Sequence, residues 1–326
     1  MRRDGTSTPW ITESCTDGSR IEVNSFSITK FRHTNTSIVV ATIDDAAKPV
    51  AGQGLPPYDY VVISTKNLPE SYDMADMILP LVTPEHTNIL LIQNGLGIEV
   101  PMIAKYPKNA VLSGVSMIGT STVGANGIKH AATERLVLGP HFHEACSREK
   151  SIAAAEEFQK MYSAGGCKSC QVELDMPKAR WQKLLWNGTF NTLCALMAMD
   201  VGQVLSSGLR QSHLLPMMWE MIEIAKKVDG VEFEDPDAVI KTLAFGLPDN
   251  TPYRPSMLLD VEHGRPMEIE VILGTAVRKA KEGGVNAFHC ESVYFLLKAL
   301  QWKNEQRALG NHVSVAAGPI DGSKLM

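Results

Sequence analysis

A lysine and two asparagines are the first side chains in this sequence whose types and spacing suggest chemistry. Lys183, Asn187 and Asn191 follow one another at intervals of four residues in an otherwise largely apolar segment. On a helix, this interval places a cation and two amides along one face. A solvated surface stripe would have the same spacing. However, asparagine is a poor helix former, and a surface that serves only solubility more naturally carries Glu, Gln or Lys. The residue types therefore favour a polar site.

Three more polar residues follow in the last third of the chain. Ser256 and Asp260 repeat the interval of four residues, and Glu268 precedes a later apolar segment. Each has a purely structural alternative, because Ser256 and Glu268 could cap a helix or lie in its first turn, and Asp260 could be a surface charge. All three alternatives would have to hold together. We therefore treat these residues as candidates for the same site.

The elements that must position these residues differ between the two halves of the chain. In the first half, short β-branched runs alternate with helical patterns, which predicts strands of a parallel sheet joined by crossovers. The predicted strands are residues 37–42, 59–65, 87–93 and 110–118. Apolar residues from Met74 to Val82 predict a helix whose last turn Pro80 bends. A strand and hairpin are predicted up to Gly139, followed by a helix over 151–164.

Long helices dominate from Asp175 onward. Asp175, Asp235 and Pro255-Ser256 are typical helix start signals. Later helices are predicted over residues 267–281 and 291–305. We therefore place a domain boundary near residue 174, between an α/β half and an all-helical half. The tail, residues 311–326, is expected to be flexible.

Composition excludes several classes of protein. Lys and Arg number 31 against 36 Asp and Glu, so the formal net charge of -5 does not suit a nucleic-acid partner. No apolar run reaches the roughly 18 residues that a membrane helix needs. The six cysteines are too sparse for a secreted disulfide scaffold, which predicts reduced thiols and a cytoplasmic protein. Cys167 and Cys170 form a CxxC downstream of two histidines and Cys146, but the spacing does not match structural zinc, and we expect no metal.

The order and spacing of four motifs resemble the ketopantoate reductases (2-dehydropantoate 2-reductases). Gln93-Asn94-Gly95 follows the third predicted strand, and the run 178–183 leads to the two asparagines. The run 255–260 then leads to Met267-Glu268. The resemblance covers roughly residues 35–305. It implies an α/β fold in which an incomplete Rossmann-like amino-terminal domain with a parallel sheet, residues 1–174, precedes an all-helical carboxyl-terminal domain, residues 175–310.

The resemblance also implies an activity, namely the NADPH-dependent reduction of 2-dehydropantoate to pantoate in pantothenate biosynthesis. Lys183 would donate the proton to the developing alkoxide, and Glu268 would orient the substrate and the ammonium. By the same resemblance, Asn187 and Asn191 would hydrogen-bond the substrate hydroxyl, and Ser256 would hydrogen-bond its carboxylate. Asp260 would orient this cluster. Asn94 would contact the cofactor ribose and the substrate, and Thr65-Lys66 the cofactor phosphates.

Two features depart from the family pattern. The family opens with a strand and a glycine-rich turn, whereas this sequence contains no G-x-G-x-x-G. We expect that this first nucleotide-binding segment is missing, that Arg2 or Arg3 is a remnant of the residue that contacts the 2′-phosphate, and that the chain as written binds NADPH weakly or not at all. Phe288 stands where the family usually has proline.

Alternatives to this activity stay open at this stage. One is the reduction of another branched 2-oxo acid. The other is a non-catalytic remnant that acts as a binding or dimerising module, which the missing glycine turn favours. The joint presence of Lys183, Asn187, Asn191, Ser256 and Glu268 favours an enzyme. The expected partner is a small 2-oxo acid; nucleic acid and membrane are not expected, and a homodimer is left open.

Overall fold

The computed structural model describes residues 10–12, 21–23, 28–30, 38–40, 42–47, 57–123, 127–130, 134–167 and 169–309. The expected tail, residues 311–326, and the arginines Arg2 and Arg3 lie outside these ranges. Within them, no helix is both long enough and apolar enough to cross a membrane.

The strands of the described residues form three separate sheets. Their bounds are β1 (Trp10–Thr12), β2 (Ile21–Val23), β3 (Ile28–Lys30), β4 (Ile38–Val40), β5 (Tyr60–Ile63), β6 (Asn88–Leu91), β7 (Val111–Met117), β8 (Thr120–Val123), β9 (Gly127–His130), β10 (Arg135–His141) and β11 (Cys170–Val172).

A five-stranded sheet with the order β11-β10-β7-β6-β5 forms the centre of the first half. Strands β5, β6 and β7 are parallel, β10 runs antiparallel to β7, and β11 is parallel to β10. Ile89, Leu90 and Leu91 on β6 are all fully buried, as expected for a central strand that is covered on both faces. The prediction of a parallel sheet built from segments 59–65, 87–93 and 110–118 is confirmed.

The first predicted strand, residues 37–42, does not belong to this sheet. β4 pairs antiparallel with β3 in a separate two-stranded sheet, so its predicted membership of the parallel sheet is wrong. Three β-branched residues favour a strand, but the pairing partner is set by packing, which the run itself does not encode. The predicted hairpin is present, since β8 pairs antiparallel with β9.

Helices in the first half are α1 (Ile43–Ala47), α2 (Met74–Met77), α3 (Val100–Lys105) and α4 (Arg148–Ala164). The helix predicted from Met74 to Val82 is shorter than expected. α2 makes one turn, and a 3₁₀ turn, Leu79–Leu81, follows it. Pro80 in that turn has no amide hydrogen and therefore cannot continue the α-helical ladder. Ile78 and Leu81 are nevertheless buried, as the apolar spacing indicated.

The second half is helical, as predicted. It contains α5 (Met176–Trp186), α6 (Thr192–Met197), α7 (Val201–Ser206), α8 (Leu215–Asp229), α9 (Pro236–Phe245), α10 (Ser256–Glu262), α11 (Thr275–Glu282), α12 (Phe288–Ala308) and π-helical turns at Asn187–Asn191, Arg210–Leu214 and Glu270–Gly274. The caps predicted at Asp175 and Asp235 are confirmed, because their carboxylates accept hydrogen bonds from the amides of Lys178 and Ala238 at 3.0 and 2.9 Å.

The chain divides into two compact units. The first comprises residues 1–184 with 270–275, and the second comprises residues 185–269 with 276–326. This division falls within helix α5, ten residues after the boundary proposed from the sequence. Lys183 therefore belongs to the first unit, and Asn187 belongs to the second.

Candidate active site

The candidate proton donor, Lys183, is held in a fixed position in the first unit. Its Nζ donates a hydrogen bond of 2.5 Å to the carbonyl oxygen of Ser116, near the end of β7. Neighbouring Trp181 and Leu184 are buried and fix helix α5 against the unit. A half-buried ammonium in such a position can stabilise a developing alkoxide and then protonate it.

Arg180, three residues before Lys183, anchors α5 to the sheet. The side chain is only 5% exposed. Its Nη1 donates to the carbonyl oxygens of Gln93 and Gly95, both at 3.0 Å, and its Nη2 donates to that of Leu91 at 3.3 Å. Nε and Nη2 also donate to Ser113 Oγ on β7, at 2.9 and 2.6 Å. Burial lowers the pKa of Arg180 to about 10, so the guanidinium stays charged at neutral pH.

Ser113 extends this network to His141 on β10. Ser113 Oγ lies 2.7 Å from His141 Nε2. Because the hydroxyl oxygen already accepts from Arg180, its hydrogen is donated to Nε2, which assigns the ring a neutral state with its own hydrogen on Nδ1. Burial lowers the pKa of His141 to about 4, with the charge of Glu99 opposing and that of Arg180 reinforcing the shift. The approach of 4.0 Å to Glu99 is therefore not an ion pair at neutral pH.

The predicted cofactor contacts Thr65, Lys66 and Asn94 follow the carboxyl ends of β5 and β6. Gln93 links the two strand ends, because its Nε2 donates to the carbonyl oxygen of Thr65 at 2.8 Å. The Tyr72 hydroxyl donates to the carbonyl oxygen of Lys66. Open parallel sheets bind ligands at this edge. The side chains of Lys66 and Asn94 are both partly exposed there, and a cation beside an amide suits an anionic nucleotide. The residues at this edge thus offer a nicotinamide dinucleotide one cation and one amide, which suit its phosphates and ribose but do not enclose it.

The loop that carries Asn94 is also held from its far side. Gly95 has a φ of +106°, and the next amide, that of Leu96, donates to the carbonyl oxygen of Val271 at 2.8 Å. A Cβ atom on Gly95 would lie 2.6 Å from the Cβ of Val271, which is closer than real side chains approach. Only glycine fits here.

In the second unit, Asn187, Asn191 and Ser256 lie together. Asn191 Nδ2 lies 3.3 Å from Asn187 Oδ1 and 3.4 Å from Ser256 Oγ. Both amides are buried, at 6% and 3% exposure, whereas Ser256 at the start of α10 is exposed. Asn191 Oδ1 is buried without a hydrogen-bond partner in the described part of the chain. A solvated stripe therefore does not describe these amides, and the group offers a free acceptor beside an exposed hydroxyl.

The two asparagines occupy the π-helical turn Asn187–Asn191. Hydroxyl groups satisfy backbone carbonyls in and before this turn: Thr189 donates to the carbonyl oxygen of Leu185 at 2.5 Å, and Thr192 donates to that of Gly188 at 2.7 Å. Such side-chain bonds compete with the regular helical ladder. Single π turns inside α-helices occur frequently at functional sites.

Asp260 and Glu268 are both buried carboxylates in the second unit. Asp260 Oδ1 accepts a hydrogen bond of 3.0 Å from Arg265 Nε, and the amide of Arg265 donates to the carbonyl oxygen of Asp260. Glu268 lies in the segment just before the π-helical turn at Glu270. Their roles as orienting residue and catalytic partner stay predictions.

Arg180, Ser113 and His141 were not predicted from the sequence as site residues. A signal for Arg180 existed, because Met176 and Leu184, four residues away on either side, are apolar and buried. An arginine between them on one helix face must be buried as well. No comparable pattern marks Ser113 or His141. Among the described residues, no group of three or more His, Cys, Asp or Glu side chains could hold a metal ion.

Comparison with known proteins identifies the family. The sequence model of the family described as ketopantoate reductase PanE/ApbA matches residues 13–142, and the model of the family's C-terminal domain matches residues 175–301. An uncharacterized protein of Saccharomyces cerevisiae is 31% identical over 82% of this chain and 78% of its own length.

Solved structures show the same fold. The 2-dehydropantoate 2-reductase of Methylococcus capsulatus is 31% identical, with a TM-score of 0.66 and coverage of 78% of both chains. A D-mandelate dehydrogenase in complex with NADH and anilino(oxo)acetate has the same TM-score at 22% identity, and 78% of this chain and 79% of that one are covered, which shows a shared fold. With both family models matched in order along the sequence, the chain belongs to the ketopantoate reductase family of oxidoreductases.

Proposed function

We propose that this protein reduces a 2-oxo acid with NADPH, and that the substrate is 2-dehydropantoate, which yields pantoate for pantothenate biosynthesis. The observation that carries the proposal is the placement of Lys183. This residue lies on helix α5, which Arg180 anchors, and its ammonium donates to the carbonyl oxygen of Ser116 on β7. Reduction of a ketone needs a cation that stabilises the new alkoxide and supplies its proton.

NADPH would supply the hydride, and the residues of this chain would do the rest. Lys66 would face the phosphates and Asn94 the ribose, both from the carboxyl edge of the parallel sheet. Lys183 Nζ would exchange its bond with the Ser116 carbonyl for one with the substrate oxygen and deliver a proton to it. Asn187, Asn191 and Ser256 would bind the hydroxyl and the carboxylate of the substrate, while Glu268 and Asp260 would orient them.

A second candidate substrate class is an aromatic 2-oxo acid. Trp186 and Phe190 stack with ring centroids 4.3 Å apart, and Tyr253 lies 6.2 Å from Trp186. These rings alternate in sequence with the amides and the serine, and Tyr253 is 45% exposed. Such a group could receive an aromatic substituent. Reduction of another branched 2-oxo acid is a further alternative. We also propose that the protein is cytoplasmic and that it forms a homodimer.

Replacement of Lys183 by alanine tests this function. We expect the turnover number to fall by roughly 10² to 10⁴, the usual contribution of a positioned proton donor, with the fold unchanged by circular dichroism. NADPH oxidation would be followed with 2-dehydropantoate, a second branched 2-oxo acid and phenylglyoxylate. Gln182→Ala, an exposed neighbour on the same helix, is the control. Turnover by Lys183→Ala within a few-fold of the control would refute the assignment, and no turnover by the unaltered protein would favour the non-catalytic alternative.

A further inference from the structure

Arg180 is a buried cation whose hydrogen-bond acceptors, within the described part of the chain, are all neutral. Its five bonds end on three backbone carbonyl oxygens and one hydroxyl oxygen. A charge buried without an acid among its hydrogen-bond partners is unfavourable, because neutral dipoles and the more distant charge of Glu99 offset the desolvation only in part. A leucine or methionine would fill helix α5 at lower cost. A function for the guanidinium therefore has to be found in what its bonds join.

The bonds join helix α5 to three parts of the first unit, which are strand β6, the loop that follows it and strand β7. Nη1 bridges the carbonyl oxygens of Gln93 and Gly95, which flank Asn94 in the chain. Nε and Nη2 hold Ser113 on β7, the strand whose Ser116 carbonyl receives the ammonium of Lys183. The planar guanidinium fixes these directions at once, whereas a lysine ammonium presents a single point of charge.

We propose that Arg180 is a positioning residue: it holds the backbone of Asn94 and the helix that carries Lys183 in one fixed geometry. This inference rests on the proposed function, in which Asn94 contacts the cofactor and Lys183 donates the proton. A displacement of about 1 Å in such groups can lower a rate by roughly 100-fold. Arg180 itself is buried beneath the loop and acts through these two residues.

Hydrogen exchange at single amides tests the hold on the loop without reference to activity. The Leu96 amide, bonded to Val271, reports on the loop, and the Ile92 amide, bonded to Ile63, reports on the sheet. In Arg180→Lys we expect exchange at Leu96 to rise at least tenfold while exchange at Ile92 stays as in the unaltered protein. Arg135→Lys makes the same chemical change at an exposed position of β10 and should alter neither amide.

Turnover supplies the second measurement. At high NADPH, Arg180→Lys should lower the turnover number at least tenfold and change the Michaelis constant for the 2-oxo acid by less than threefold. A purely structural role would lower the thermal stability of Arg180→Lys without this split. In the Lys183→Ala background the same substitution should lower turnover by a smaller factor, because one of the two positioned groups is gone.

The outcomes separate the two proposals. If the unaltered protein reduces none of the 2-oxo acids, the proposed function fails, and exchange at Leu96 still decides whether Arg180 holds the loop. If it is active but Arg180→Lys matches Arg135→Lys in exchange or in turnover, the positioning role is overturned. Should Arg180→Lys not fold, Ser113→Ala removes two of the five bonds and should raise Leu96 exchange in the same direction. Unchanged exchange in that folded variant would also overturn the proposal.

Discussion

Acidification should destabilise this protein through His141 well above the pH at which its carboxylates are protonated. The folded protein holds this ring neutral, because Ser113 donates to Nε2. Protonation would set two donors against each other and place a second positive charge near Arg180. Glu99, the acid on the other side, opposes this effect but does not cancel it, and the pKa of His141 remains lowered from 6.5 to about 4.

The sign and the size follow from proton linkage. As the pH falls, the unfolded chain binds a proton at this histidine near pH 6.5, whereas the folded protein does so only near pH 4. The stability associated with the neutral ring is therefore complete above about pH 7 and is lost between 6.5 and 4. A shift of this size corresponds to a loss of about 2 kcal/mol by pH 5 and about 3 kcal/mol by pH 4.

Urea unfolding at several pH values measures this loss. Other groups titrate over the same range, so the informative quantity is the difference between the unaltered protein and His141→Gln, whose amide oxygen can accept from Ser113 but cannot be protonated. We expect that variant to lose about 2 kcal/mol less than the unaltered protein between pH 7 and pH 5. His86→Gln, at a half-exposed histidine, is the control. An identical pH dependence for His141→Gln and the unaltered protein would show that His141 is not held neutral.

Three further predictions concern the substrate, the loop and the cofactor. Ser256→Ala should raise the Michaelis constant for the 2-oxo acid more than it lowers turnover, and an unchanged Michaelis constant in steady-state assays would exclude a substrate contact. Gly95→Ala should lower the free energy of unfolding by about 1–3 kcal/mol more than Gly166→Ala, because both glycines have positive φ but only Gly95 contacts another residue closely; equal denaturation midpoints would contradict this. Calorimetric titration of the 326-residue chain should show NADPH binding weaker than micromolar, since Lys66 and Asn94 offer one charge and one amide; micromolar binding would refute that expectation.

Features that depend on local patterns were predictable from the sequence. The apolar run around Ile89 and Leu90 predicted a strand of the parallel sheet, where both side chains are buried. Asp175 and Asp235 predicted helix starts that their side-chain bonds confirm. Each of these signals lies within a few residues of the element it specifies. For the same reason the partner of β4 was not predictable, because strand pairing depends on residues far away in the chain.

The amide group shows how far spacing alone can lead. An interval of four residues predicted that Asn187 and Asn191 share a face, and their side chains do lie 3.3 Å apart. That prediction assumed a regular α-helix, whereas both residues lie in a π-helical turn. The hydroxyl of Thr189 bonds to the backbone within this run, a competition that composition does not reveal.

Arg180 marks the point at which the chemistry of the candidate site depends on contacts that no linear pattern records. Its position on the buried face of α5 could be inferred from Met176 and Leu184, but not its partners, which lie 67 to 89 residues earlier in the chain. Lys183 could be selected by its residue type and spacing, and Asn94 by the resemblance to the family. Arg180 does none, and its contribution is geometric. Since the rate of a proton donor depends steeply on its placement, the residue that fixes Lys183 should matter nearly as much to turnover as Lys183 does.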